Sequence, residues 1–296
     1  MTVQLVFEVI FRKLLNLFTL EFFMLLQKEN TLLPSKGVWS REQTILALFW
    51  YYQLPFGRLH ARNPSIIIWS EIINRNANAL AMKLVNFASL DPVIIASGRK
   101  GMGNTSTLDK EVWGFYNNKL EFLTNDAELI LKQIMGTDDK SLETILPQLE
   151  LAETNQSYYG EERQVTISQR IRQNFFRSTI LSNFEERCCI SGLAEPRLLI
   201  ASHIVSWVRA PDKRLSPHNG LCLSALYDRA FDRHLMTLND QLEVQLSPKL
   251  RKIAETTRLS IGLLEVEGKA ITPPIRFGID MDLLKQHHDH FMELQK

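Results

Sequence analysis

The residues of this chain whose types and spacing could do chemistry lie in its last third. His203 closes an apolar run at 197–204 that reads as a short strand, so an imidazole sits where the strand ends. Residues 221–234 then have helical spacing. On such a helix Asp228 and Asp232, four positions apart, share one face, while Leu223, Leu226 and Ala230 point to another face suited to a core. Hydrolysis of a phosphodiester needs a base to activate water, positive charge on the developing phosphorane and help for the departing 3′ oxygen. Imidazole titrates near neutrality, so His203 can be the base. The carboxylate pair makes a seat for a divalent cation, and oxygen ligands favour Mg²⁺ or Mn²⁺ over zinc.

The elements that must position these groups follow from the flanking pattern. Residues 187–192 and 197–204 read as two strands around a turn at 192–196, followed by a loop with Pro211, Asp212 and Pro217, an Asn219-Gly220 turn and the helix. The expected order is strand, strand, loop, helix. Just upstream, Arg163, Arg170, Arg172 and Arg177 fall in a stretch without an acid, and Ile171, Phe175, Phe176 and Ile180 give 169–181 helical spacing. This predicts one helix with a cationic face, and Arg170, Arg172 and Arg177 as phosphate contacts.

The first half reads as helices. Ser40, with Gln43 three residues on, caps a helix to about residue 53; Asn63-Pro64 starts a second; Asn76 caps a third over 76–87. The last two, across a tight turn, resemble a helix-turn-helix. The adjoining loop at 97–104 is glycine-rich and basic, so Arg99 and Lys100 are candidate phosphate contacts. Residues 109–135 continue as one or two amphipathic helices, and 136–162 turn acidic and polar, as a linker would.

Composition limits the alternatives. Of 296 residues 45% are hydrophobic and 23% charged, which excludes disorder over the whole length, and a net charge of +1 means that nucleic-acid affinity must come from a local patch. Three cysteines without a C-x-x-C pair exclude a disulfide framework and a cysteine-clamped structural zinc, and fit a cytoplasmic protein. Glu8, Arg12, Lys13 and Glu21 interrupt the apolar residues 3–26, so no membrane span is expected there. Residues 1–35 are read as an extension of unclear status, and a translation start at Met24 would account for the abrupt onset of clear patterning near Trp39.

Ala201-Ser202-His203-Ile204, Asn219-Gly220-Leu221 and 226–232, Leu-Tyr-Asp-Arg-Ala-Phe-Asp, together resemble an HNH endonuclease with its ββα-metal finger. Weaker likeness to HNH proteins described as restriction endonucleases extends to 86–92 and 286–291. The resemblance implies that Asn219 holds the loop and orients the His203 ring, and that Asp228 and Asp232 ligate the metal. Ser202 stands at a further ligand position where relatives often carry Asp or His, and Tyr227 stands where they commonly place His. A C-terminal amphipathic helix accounts for His287, His288 and His290 without a metal.

The expected protein is therefore α+β, with a helical DNA-recognition domain at 36–135, a linker at 136–162 and an HNH nuclease domain at 163–296. It would cut DNA with Mg²⁺ or Mn²⁺ in restriction or defence, as a homodimer if both strands are cut. The rival expectation is an HNH-fold DNA-binding protein with impaired catalysis, suggested by Ser202 and Tyr227. A toxin-like effector whose N-terminal half binds a protein partner ranks third.

Overall fold

Ser40 caps the first helix as its spacing predicts: its hydroxyl accepts from the Gln43 backbone N–H at 3.2 Å, and the Gln43 side chain accepts from the Ser40 N–H at 3.1 Å. This computed structural model describes residues 33–34, 37–135, 167–206, 208–257 and 260–296. The linker expected at 136–162, Arg163 and nearly all of the N-terminal extension lie outside those residues.

The helical module runs α1 (Arg41–Tyr51), α2 (Pro64–Ile72), α3 (Ala77–Ala88), α4 (Pro92–Ala96), α5 (Thr107–Tyr116) and α6 (Leu120–Met135). Asn63 and Asn76 cap α2 and α3 through bonds to the Ser65 and Ala79 N–H groups, as expected. The spacing at 109–135 yields two helices. Leu46, Leu48, Ile66, Leu80, Leu84, Phe87 and Leu123 form the core of this module.

The next helix, α7 (Ile167–Asn183), belongs to both halves. Ile171 and Phe175 enter the helical core, whereas Phe176, Ile180 and Leu181 enter a second core beneath the candidate site. That second core carries β1 (Leu199–His203), β2 (Gly220–Ser224), α8 (Ala225–Asp232), β3 (Met236–Leu238), β4 (Val244–Leu246), α9 (Pro248–Thr256), α10 (Ser260–Leu263) and α11 (Met281–Glu293). The strands form two antiparallel hairpins, β1 with β2 and β3 with β4. The α+β class is as expected.

The strand assignment needs correction. Residues 187–192 form turns, closed by Cys188 N–H to Leu193 carbonyl and Gly192 N–H to Cys188 carbonyl bonds. Gly192 has φ +72, a left-handed conformation that ends any extension of the run. The partner of β1 is β2, with Ser202 opposite Leu221 and His203 opposite Gly220, so the order is strand, loop, strand, helix. Leu221, Cys222 and Leu223 are fully buried, and a short run buried on both faces has no alternation that would separate strand from helix. A Cβ on Gly220 would lie 2.3 Å from the Ile180 side chain, so glycine is what lets β2 pack directly against α7.

Candidate active site

His203 ends β1, and the ladder places it beside Gly220 at the start of β2. Its ring stacks on Phe176 of α7 at 3.9 Å between centroids and 5° between planes. Nε2 lies 3.0 Å from the Arg214 backbone carbonyl. A carbonyl only accepts, so Nε2 carries the proton, and in the neutral ring Nδ1 keeps its lone pair. Burial pushes the His203 pKa below the ordinary value, against the carbonyl's opposing pull, so the neutral form dominates at pH 7. The ring is therefore fixed in orientation and in tautomer, with one basic nitrogen left.

Asn219 is fully buried and acts on the loop between the strands. Its Oδ1 accepts from the Val205 N–H at 2.9 Å, and its Nδ2 donates to the Val205 carbonyl at 2.9 Å and the Lys213 carbonyl at 3.4 Å. The loop whose far end carries the Arg214 carbonyl is thus stitched to the start of β2. Asn219 reaches His203 only through this loop, with no direct bond between the two side chains among the described residues.

One strand residue before His203, Ser202 lies beside Asp228 on α8. Asp228 is buried, which raises its pKa; the neighbouring Ser202 hydroxyl and Arg229 oppose that rise, and the Asp232 charge adds to it. Asp232, one turn on, is 60% exposed and stands 3.7 Å from Arg229 Nη1 and 3.8 Å from Arg233 Nε. The expected pair is therefore one buried and one exposed carboxylate, with the Asp232 charge felt at Asp228. Among the described residues no group of three or more His, Cys, Asp or Glu side chains is placed to hold a metal ion. Two carboxylates beside a hydroxyl fit a hard divalent cation that keeps most of its waters.

Tyr227 points away from this set into the second core, where its hydroxyl donates to the Gly262 carbonyl. His287 is also structural. It stacks on Phe231 at 3.8 Å, its Nε2 donates to the Phe231 carbonyl at 3.0 Å, and its Nδ1 accepts from the Thr237 hydroxyl at 2.9 Å.

The arginines expected to contact phosphate have other partners. Arg177 is turned toward the hairpin and donates to the Leu199 and Pro196 carbonyls at 2.8 and 3.0 Å. Arg172 binds Glu128 at 3.0 Å and Asn125 at 3.0 Å, and Arg99 pairs with Glu185 at 3.0 Å. Arg170 also has a partner, and Lys100 lies in an exposed loop. The single cationic face expected on α7 does not exist, because the helix is buried between two cores and its cations serve contacts on both sides. In α3 the sole cation, Lys83, is buried on Asp109 at 2.6 Å, so the exposed positions of that helix, Asn78 and Met82, offer no positive charge.

Two parts of the site escaped sequence reasoning. In the sequence Phe176 is only one apolar position of the helical spacing, and its place under His203 follows from the Gly220 contact that brings α7 against the hairpin. The Arg214 carbonyl is a backbone group, for which side-chain types give no signal. Residues 188–239 match the family model described as HNH endonuclease, which spans β1, the loop, β2 and α8. No curated protein matches the chain.

Proposed function

We propose that the HNH endonuclease domain at residues 188–239 makes this chain a metal-dependent nuclease that hydrolyses DNA phosphodiester bonds. The observation that carries the reading is the His203 ring, held by Phe176 and the Arg214 carbonyl so that a neutral Nδ1 can accept a proton from water. Asp228 and Asp232 would hold the cation, Mg²⁺ or Mn²⁺ by their oxygen chemistry. When bound, it supplies positive charge at the phosphate and beside the leaving oxygen. Ser202, beside Asp228, would favour the charged form of that buried carboxylate. Arg229 and Arg233, held only loosely by Asp232, are the cations of this chain best placed to meet the DNA backbone.

The proposed setting is restriction or defence against foreign DNA in the cytoplasm. The HNH motifs support it, as do three buried thiols that need no oxidising compartment. A second reading, an HNH-fold DNA-binding protein with impaired catalysis, draws support from the small ligand set and from Tyr227 being engaged in the core. Incubation of unmodified plasmid and cytosine-modified phage DNA with Mg²⁺, Mn²⁺ or chelator separates the two. Metal-dependent cutting lost in His203→Ala supports the nuclease. Tight binding without cutting in any metal, by a folded protein, supports the second reading.

A further inference from the structure

Residues 275–280 lie outside the matched segment, yet they join the helical module to the loop that holds His203. Asn183, at the end of α7, fixes the start of this strap: its carbonyl accepts from the Ile275 N–H at 2.8 Å and its side chain bonds the Arg276 and Phe277 N–H groups and the Phe277 carbonyl at 2.8 to 3.0 Å. From there two side chains reach into the helical module. Arg276 pairs with the buried Asp91 at 3.4 Å, lies over the Tyr51 ring at 4.5 Å and reaches the Tyr51 and Leu54 carbonyls. Phe277 is buried in the helical core with its ring 5.6 Å from Tyr52.

The next residues grip the loop. His218 Nδ1 donates to the Gly278 carbonyl at 2.6 Å, the Asp280 N–H donates to the His218 carbonyl at 2.9 Å, and the Asp280 carboxylate lies 3.8 Å from Lys213 Nζ. His218 precedes Asn219, and Lys213 precedes the Arg214 whose carbonyl holds His203. The strap therefore holds the segment 213–219 firmly at His218, and Asp280 faces Lys213 at its other end.

We infer that His218 and Asp280 are positioning residues for His203, and that the helical module sets the geometry of the nuclease site through the strap anchored by Arg276 and Phe277. The inference rests on the nuclease reading. It gives the helical module a task that needs no DNA contact. A small displacement of the Arg214 carbonyl turns the His203 ring, and misplacement by about 1 Å of a catalytic group lowers rate by up to about 10²-fold.

The test uses the full chain and single-turnover cleavage of a short duplex with Mn²⁺, alongside DNA affinity measured in chelator. His218 is exposed, so its replacement leaves the core intact. His218→Ala is expected to lower the cleavage rate about 10- to 100-fold with unchanged DNA affinity, and His218→Gln, which can still donate to Gly278, to restore most of it. Asp280→Asn keeps the helix cap and loses only the charge facing Lys213, so a smaller loss is expected. In a His203→Ala background neither substitution should lower the residual rate further, because both act through that ring. Equal losses with and without His203, an altered affinity, or an unchanged rate would overturn the inference while leaving the nuclease reading in place. Failure of the unsubstituted protein to cut any DNA would overturn both.

Discussion

The helical module and the finger handle charge in opposite ways. In the module, Lys83 and Asp109 are 5% and 1% exposed and meet at 2.6 Å, Arg75 spans Gln43 and the Gly37 and Val38 carbonyls, and Glu128 gathers both Lys132 and Arg172. In the finger, Arg229 and Arg233 are more than half exposed and stand at 3.7 and 3.8 Å from one carboxylate, a distance at which a surface pair contributes little to stability. Cations in the two regions look alike in the chain, but Arg229 and Arg233 are available to a ligand, whereas Lys83 and Arg75 are committed to the fold. Where charge is already paired it builds the fold, and where it is loosely held it can serve function.

The sharpest test of this contrast is His203→Ala, expected to lower cleavage by about 10²- to 10⁴-fold with folding and DNA affinity retained. Activity unchanged from the parent would remove His203 from the mechanism. The counterpart in the module is Lys83→Met, which leaves Asp109 buried without its cation. Urea unfolding should show a loss of about 3–5 kcal/mol, with cleavage per folded molecule unchanged. A loss of cleavage without a loss of stability would break the comparison.

A smaller effect is expected from acid. Burial first, and the His234 charge after it, pull the His287 pKa down to about 3. The unfolded chain, with an ordinary histidine near 6.5, then binds more protons than the native state between these values, so stability rises with pH across about 3 to 6.5 and is lost as pH falls. The loss should reach about 2 kcal/mol by pH 5, and His287→Gln should flatten the profile in that range. A parent profile already flat between pH 5 and 7 would show that the ring titrates without cost. Smallest of all, Arg229→Ala and Arg233→Ala should each make the salt dependence of DNA binding shallower by about one unit of slope, with no preference among sequences. Arg172→Ala should leave that slope as it is. An equal change in all three would erase the difference between the regions.

Much of the local structure was legible. Ser40, Asn63 and Asn76 announced their helices because a cap acts on backbone groups two or three residues away, within reach of a short sequence window. His203, Asp228 and Asp232 were legible as chemistry because ordered spacing of reactive side chains is itself a sequence property. The β2 strand was not, since Leu221, Cys222 and Leu223 are buried on both faces and carry no alternation. Neither was the fate of Arg172 and Arg177, whose partners Glu128 and the Leu199 carbonyl are far along the chain.

The sequence by itself determined the helix starts, the α+β class and the HNH motifs with His203, Asp228 and Asp232 in their order, all of which depend on residue type and short-range spacing. Only the tertiary structure decided which nitrogen of His203 carries the proton, that Asp228 is buried and Asp232 exposed, and that the strap at 275–280 ties the helical module to the loop that holds His203. Those outcomes depend on contacts between distant segments and on backbone groups that every residue shares, so no local pattern encodes them.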